Sequence, residues 1–149
     1  MRIGFFLLHN YSMIALVNAL EPLRLANYLS GKTLYQWALI DAAPGGTTAS
    51  NGLAFQPTPQ HAETECDAVF VCGGIDVAAS VTREVVQRIR KTVSRGVAIG
   101  ALCTGTYALA KAGVADGYLD AHSTKLQGLT ISGGYDMGDG RIAEKGWFA

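Results

Sequence analysis

The sequence has no excess of charge of either sign. Its 149 residues carry 12 Lys and Arg against 12 Asp and Glu, a formal net charge of zero. A surface that holds nucleic acid through its phosphates needs a basic excess. We therefore expect this segment itself to make no contact with DNA.

Cysteine is scarce, and its spacing is not that of a metal or disulfide site. Cys66, Cys72 and Cys103 are odd in number and include no C-x-x-C pair, which argues against a zinc ribbon and a disulfide framework. This usage fits a reducing compartment, so we expect a cytoplasmic protein. We expect neither a metal nor a cofactor.

The sequence also has no segment that reads as a membrane span. The N-terminal apolar run Ile3–Leu8 is too short to cross a bilayer. It also lacks the charged, apolar and small-residue order of a signal peptide. We expect no membrane association and interpret this run as a β-strand.

What the sequence does have is 49% hydrophobic residues, enough to bury one core, so we expect a single domain over residues 1–149. Apolar runs alternate with amphipathic stretches, which predicts an α/β fold with an open, mostly parallel sheet and helices on both faces. The predicted strands are Arg2–Leu8, Tyr35–Ile40, Asp67–Cys72 and a fourth that starts at Val97. The predicted helices are Met13–Leu29, capped by Ser12 and kinked or broken at Pro22, and Thr82–Arg95, ended by Gly96.

The second predicted helix is rich in basic residues. They alternate with its apolar stripe, so we interpret them as a solvated outer face and not as a phosphate site. They are Arg83, Arg88, Arg90, Lys91 and Arg95.

The C-terminal third has a weaker pattern. Residues 119–140 are polar and Gly-rich, and residues 141–149 look like a hairpin or strand that stops just as it becomes apolar. A domain rarely ends on an exposed Trp-Phe strand. We therefore expect the natural chain to continue beyond Ala149.

The most informative segment is Val97–Ala110, which reads as a buried strand that runs into a helix with Cys103 at the corner. Small residues on both sides, Gly100 and Gly105 among them, permit a sharp turn and a strained dihedral angle, as in a nucleophile elbow. The start of the following helix favours a thiolate or a nearby anion. The alternative is a small cysteine buried in a core.

Gly73 and Gly74 immediately follow another predicted strand. Because glycine permits close backbone approach, this pair is a candidate ligand contact. Ligands of open parallel sheets bind beyond the carboxyl ends of the strands. We therefore expect Gly73, Gly74 and Cys103 to lie on the same rim of the sheet, with His9, Asn10 and Asp76 as further rim candidates.

Several segments carry a family resemblance. The chain contains both an E-P-L-R-x-A-N helix and an A-x-C-T-G turn. The two motifs together identify a family more specifically than either motif alone. Together the segments look like the DJ-1/PfpI, or class I glutamine amidotransferase-like, superfamily, and are most similar to the N-terminal domains of one branch of AraC-family transcriptional regulators. The matching segments are Phe5–Leu8, Ala19–Asn27, Leu34–Trp37, Val71–Gly74, Gly100–Gly105 and Ala108–Tyr118.

The resemblance implies a flavodoxin-like, DJ-1-like fold and a domain similar to a sensor of small metabolites, often amines or amino-acid derivatives. In such regulators a C-terminal pair of helix-turn-helix motifs binds DNA, and nothing in this chain resembles that part. The resemblance also implies a homodimer.

It further implies roles for individual residues. Cys103 matches the family's nucleophile or sensing thiol, and Glu21 matches an acidic residue that approaches it; the alternative for Glu21 is a surface carboxylate. His122 is the candidate base, although the regulator branch usually has a His-Trp pair there and this chain has none. A polar loop histidine is the other interpretation of His122.

Ligand contacts are expected from His9, Gly73, Gly74, Cys103 and Thr104. The main-chain amides of Gly74 and Thr104 form a candidate oxyanion-binding pair. His61 lies in a Pro-flanked loop and is expected to be exposed.

Three aromatic residues invite comparison with a cage for a quaternary amine. They are Tyr35, Trp37 and Tyr107. Because Trp37 falls within a predicted strand, ordinary core packing is the preferred interpretation.

Three functions remain open at this point. The leading hypothesis is the metabolite-sensing domain of an AraC-type regulator, which binds without turnover. The second is a stand-alone cysteine enzyme of the same superfamily, an isocyanide hydratase or a glyoxalase-like hydro-lyase. The third is an oxidation sensor that uses Cys103, which requires a reactive, accessible thiol.

Overall fold

The computed structural model describes residues 1–43, 45–56, 58 and 65–115 in full, and the main chain of residues 131–132, 135–136 and 142–143. Four longer strands and two longer helices carry the architecture. The strands are β1 (Arg2–Leu7), β2 (Gln36–Asp41), β3 (Ala68–Cys72), β4 (Ala98–Cys103), β5 (Ile131–Ser132), β6 (Tyr135–Asp136) and β7 (Ile142–Ala143). The helices are α1 (Met13–Ser30), α2 (Val77–Ser80), α3 (Arg83–Ser94) and α4 (Gly105–Lys111).

Five strands form a parallel sheet in the order β2-β1-β3-β4-β5. The register pairs Phe5 of β1 with Leu39 of β2 and with Phe70 of β3. From β1 the chain first adds β2 on one side and later β3 on the other. The connections therefore reverse direction between β1 and β3, which is the topological switch point where open α/β sheets bind ligands.

The two faces of the sheet support two cores because successive side chains in β1 point to opposite faces. Ile3, Phe5 and Leu7 face α1 and pack with its buried Leu16. Phe6 and Leu8 face the other side, in a core built with α2, α3 and α4. The predicted parallel sheet with helices on both faces is confirmed.

Most predicted elements are also confirmed, with small shifts at their ends. Ser12 accepts a hydrogen bond from the main-chain N–H of Ala15 at 3.4 Å and so caps α1, and Thr82 does the same for α3. Gly96 follows α3 with a φ of 76°. Pro22 does not break α1, which continues to Ser30. The short helix α2 and strand β5 were not predicted.

The interpretation of α3 as a uniformly solvated basic face was wrong for Arg88, which is half-buried, whereas Arg90 is exposed. The guanidinium of Arg88 donates hydrogen bonds to the carbonyl oxygens of Asp41 at 2.7 Å and Ala42 at 3.0 Å, and it lies 4.5 Å above the ring of Phe6. Arg90 donates to the carbonyl of Ala112 at 2.8 Å. Both guanidinium groups thus hold α3 to neighbouring main chain, and the stem of Arg88 packs against Phe6.

No helix in the described part of the chain is long and apolar enough to cross a membrane. Within the same residues, no group of three or more His, Cys, Asp or Glu side chains is placed to hold a metal ion.

Asn27 of the E-P-L-R-x-A-N segment joins the end of α1 to the start of β2. Its Nδ2 donates to the carbonyl of Tyr35 at 2.7 Å, while its Oδ1 accepts from the main-chain N–H of Leu34 at 2.8 Å and of Tyr35 at 2.9 Å. One amide side chain thus satisfies three main-chain groups at the chain reversal.

We predict that Asn27→Ala lowers the free energy of unfolding by about 1 to 3 kcal/mol, because it leaves partly buried donors and an acceptor without partners. Chemical denaturation checks this. Asn18→Ala is the matched control, since Asn18 is exposed on the same helix. Equal stabilities for the two variants would contradict the assigned role of Asn27.

Candidate functional site

Three residues at the carboxyl rim of the sheet adopt left-handed backbone conformations that side chains rarely take. Asn10 follows β1 with a φ of 58°, Asp76 follows β3 with a φ of 53°, and Cys103 ends β4 with a φ of 53°. These are the non-glycine residues of positive φ in the described segments. Backbone strain of this kind concentrates at functional sites, so it marks this rim.

Cys103 stands at the corner between β4 and α4, as the sequence predicts. It is the last residue of the strand, is partly exposed, and is followed by the short helix that begins at Gly105. A left-handed conformation costs an L-residue about 1 to 2 kcal/mol. Among the described residues, no hydrogen bond or ion pair joins Cys103 to an acid or a base.

Three glycines around this corner have no room for a side chain. A Cβ at Gly105 would lie 2.0 Å from the carbonyl oxygen of Val71, and one at Gly73 would lie 2.4 Å from the main-chain nitrogen of Gly105. A Cβ at Gly74 would lie 2.0 Å from the carbonyl oxygen of Asn10. The space in which a side chain of Gly73 or Gly74 would lie is therefore occupied by the chain's own backbone.

Hydrogen bonds fix the same junction. Thr104 donates from its hydroxyl to the carbonyl of Gly74 at 2.7 Å, Gly73 donates to the carbonyl of Leu102 at 3.1 Å, and Ser12 donates to the carbonyl of Gly73 at 2.9 Å. The hydrogen bonds found among the described residues do not use the main-chain N–H of Gly74 or of Thr104. Within that part of the chain, both donors are candidate partners for an anionic or carbonyl group.

Beneath the rim lie two buried groups that the sequence analysis did not single out as site residues. Tyr11 is fully buried, and its hydroxyl has no hydrogen-bond partner in the part of the chain that the structure describes. Burial raises the pKa of the Tyr11 phenol and, more strongly, of the Cys72 thiol; nearby Cys103 adds to the second shift. Both groups therefore stay protonated. In the sequence, Tyr11 is an aromatic residue in the polar segment that follows the first apolar strand. That position could have identified it as a site residue.

Among the described residues, Glu21 makes no hydrogen bond or ion pair with Cys103. Helix α1 starts at the rim and runs back to the opposite edge, so Glu21 lies about 12 Å along the helix axis from Met13. Its carboxylate instead pairs with Arg24 at 2.7 Å, with about half of the side chain exposed. The hydrogen bond from Arg24 lowers the pKa of Glu21, which disfavours the protonated form that would donate to a sulfur. These contacts match the surface interpretation of Glu21.

A second feature of the rim is a cavity of about 300 Å³ at the switch point, here called the switch-point crevice. His9 and Asn10 line it from the loop after β1, Ala42 from the loop after β2, and Asp76 and Ser80 from the segment after β3. The structure thus brings three of the predicted rim candidates, His9, Asn10 and Asp76, around one cavity.

The three aromatic residues considered for a cage do not converge. Tyr35 and Trp37 lie where β2 begins, beside Arg2 at the edge of the sheet opposite the rim. Tyr107 is on α4, where the Lys111 ammonium lies 5.9 Å from its ring centre. The candidate residues His61 and His122 lie outside the described residues.

The sequence is similar to a known protein family and to curated transcriptional regulators. A sequence profile described as the DJ-1/PfpI family matches residues 2–142. The chain is 44% identical over 117 residues to the HTH-type transcriptional regulator GbdR of Pseudomonas aeruginosa, covering 78% of this chain and 32% of GbdR. It is 39% identical over 124 residues to the HTH-type transcriptional regulator GlxA of Rhizobium meliloti, covering 77% and 36%.

Among solved structures, the fold is similar to that of an AraC family transcriptional regulator from Pseudomonas putida. The TM-score is 0.67 at 27% sequence identity, over 77% of this chain and 62% of that one. The chain spans about a third of the length of the curated relatives it matches.

We predict that Cys103→Gly is more stable than Cys103→Ala by about 1 kcal/mol. Both variants remove the sulfur, but only glycine adopts a φ of 53° without steric cost. Thermal denaturation of the two variants side by side measures the difference. An alanine variant as stable as the glycine variant would show that the backbone at residue 103 carries no such strain.

Proposed function

The chain belongs to the DJ-1/PfpI family, and on that premise we propose that residues 1–149 form the small-metabolite-sensing domain of an AraC-type transcriptional regulator. The domain binds its ligand at the rim of the sheet and does not convert it. The observation that carries this proposal is the similarity to regulators over most of the chain, GbdR and GlxA among them. The ligand class implied by the resemblance is an amine or an amino-acid derivative.

DNA contact is assigned to another part of the regulator. The chain has a formal net charge of zero, whereas proteins that bind DNA through its phosphates carry a basic excess. We propose a C-terminal helix-turn-helix domain as the DNA-binding part of the whole protein, in a cytoplasmic regulator.

The contacts of Glu21 favour binding over catalysis. A nucleophilic cysteine needs a base within hydrogen-bond reach, or another group that lowers its pKa. Of the two candidate assisting residues, Glu21 is held by Arg24 on the third turn of α1, and His122 lies outside the described residues.

The alternative is a stand-alone cysteine enzyme, an isocyanide hydratase or a glyoxalase-like hydro-lyase. Two observations favour it: the left-handed backbone of Cys103 and the available main-chain N–H groups of Gly74 and Thr104. In such an enzyme Cys103 is the nucleophile, Glu21 and His122 assist it, and the two amides stabilise an oxyanion.

One experiment separates the two functions. The purified protein is screened against small amines, amino-acid derivatives, isocyanides and 2-oxoaldehydes by thermal shift, and every stabilising compound is then followed by mass spectrometry for conversion. We predict a rise in melting temperature for at least one amine or amino-acid derivative, with no product formed.

Cys103→Ala and Glu21→Gln serve as paired variants in that screen. Binding without turnover in all three proteins supports the sensor. Product formation that disappears in Cys103→Ala establishes the enzyme, and its additional loss in Glu21→Gln would place Glu21 in the mechanism despite its contact with Arg24. A protein that neither binds nor converts any compound contradicts both functions.

We also propose that the domain is a homodimer that pairs through α1. Large apolar side chains along one side of this helix are exposed, and they are Ile14, Val17, Leu25, Tyr28 and Leu29. Their spacing places them on one face, and Glu21 and Arg24 lie within the same stretch. An opposite-charge pair inside an apolar stripe complements itself under two-fold rotation, as an interface between identical copies requires.

We predict that the double substitution Leu25→Glu and Leu29→Glu shifts the protein to a monomer, because two carboxylates on each copy would be buried without partners. Sedimentation velocity measures the change. Leu53→Glu is the control, since Leu53 is 60% exposed on a different segment. A monomeric wild-type protein, or a double variant that still dimerises, would contradict pairing through α1.

A further inference from the structure

We propose that the switch-point crevice binds the ammonium group of a small aliphatic amine, with the Asp76 carboxylate as its counter-ion. The inference deepens the proposed sensing function, and its biological meaning rests on that function. It places the ligand in a cavity whose described lining does not include Cys103, and it names a residue, Asp76, that directly contacts the ligand.

The crevice lies at the switch point of the sheet, where the topology predicts a ligand site. The order β2-β1-β3 puts the switch point between the loops that follow β1 and β3. Those two loops supply His9 and Asn10 on one side and Asp76 on the other, around a cavity of about 300 Å³. This volume lies at the small end of ligand pockets, so it suits a small metabolite.

The walls of the crevice are fixed to one another before any ligand arrives. Ser80 donates from its hydroxyl to the carbonyl of His9 at 2.9 Å, and the main-chain N–H of Ile75 donates to the carbonyl of Asn10 at 3.1 Å. Asn10 in turn donates to the carbonyl of Thr48 at 2.8 Å. A cavity held in this way is pre-organised, which reduces the entropy lost on binding.

The side of the crevice formed by the end of β2 and by α3 is also fixed. Arg88 of α3 donates to the carbonyl oxygens of Asp41 and Ala42, so the end of β2 is held against the helix that contributes Val85 to the cavity. The guanidinium is directed at these carbonyls.

The charges of the lining select a cation. Asp76 is the carboxylate among the described lining residues, and none of them is Lys or Arg. Although Asp76 stands at the N-cap position of α2, its side chain makes no capping hydrogen bond. The carboxylate is thus available for a charge-assisted hydrogen bond with an ammonium group.

The rest of the lining sets the shape of the ligand. Ala42, Ala79 and Val85 present small apolar side chains that suit a short alkyl chain. The described lining holds no Phe, Tyr or Trp, so a cage for a quaternary amine is absent from it. A protonated primary amine on a short aliphatic chain is the class that these walls fit.

The test is a titration of the ¹⁵N-labelled protein with n-butylammonium chloride, followed by amide chemical shifts. 1-Butanol and sodium butyrate are the neutral and anionic comparisons. We expect saturable shifts at His9, Asn10, Asp76 and Ser80 with a dissociation constant of about 1 to 10 mM, in the range expected for so small a ligand. Neither comparison compound should produce them.

Two variants examine the assignment. Asp76→Asn keeps a residue type that tolerates the left-handed backbone, and it should weaken binding about tenfold through loss of the charge. Ala79→Phe keeps the charge and fills the cavity, and it should also abolish the shifts. Glu84→Gln, which removes an exposed carboxylate near the crevice, should bind as the wild type does.

Three outcomes overturn the inference: equal binding of 1-butanol, unchanged binding by Asp76→Asn, or shifts confined to residues 103–106. If butylammonium leaves the crevice unmoved while a metabolite from the thermal-shift screen still stabilises the protein, the crevice assignment fails and the sensing proposal stands. If butylammonium binds through Asp76 but no metabolite stabilises the protein, the site is supported and the sensing proposal fails.

Discussion

The architecture of the rim depends on main-chain segments that touch with no side chain between them. Gly105 lies against the carbonyl of Val71, Gly73 against the amide of Gly105, and Gly74 against the carbonyl of Asn10. These contacts join the ends of β1 and β3 to the turn after β4. Substitution by any larger residue would force backbone to move, because the atoms in the way are not flexible side chains. The position of Cys103 and the position of the switch-point crevice are both consequences of this junction.

The same junction holds three non-glycine residues in the left-handed region, and two of them face the crevice. Asn and Asp tolerate this conformation better than other side chains do, which suits Asn10 and Asp76. Cys103 has no such tolerance. Its φ of 53° is therefore the most strained of the three. The fold therefore places a strained cysteine corner and the switch-point crevice on the same rim of the sheet.

Much of this organisation is predictable from sequence because it is encoded locally. Ser12 and Thr82 cap their helices, and the run into Cys103 followed by Gly105 identifies the strand, the turn and the helix in order. Features that depend on contacts between residues far apart in the chain could not be predicted from local sequence patterns. Arg88 docks on carbonyls some 46 residues away in the chain, and no periodicity reveals that. Glu21 was assigned a family role from its residue type alone. Its distance from the rim depends on the direction in which α1 runs, which the residue type does not show. The crevice needs loops from three strands, so its residues were predicted singly and not as one cavity.

The central claim is that this chain is the sensing part of a larger regulator, and the size of the native gene product tests it most directly. An antibody raised against residues 1–149 would be used on an immunoblot of lysate from the source cells. The account predicts a band at about three times the mass of this chain, since the chain spans about a third of the regulators it resembles. A band at the mass of the chain itself would contradict the account and direct attention to cysteine chemistry at Cys103.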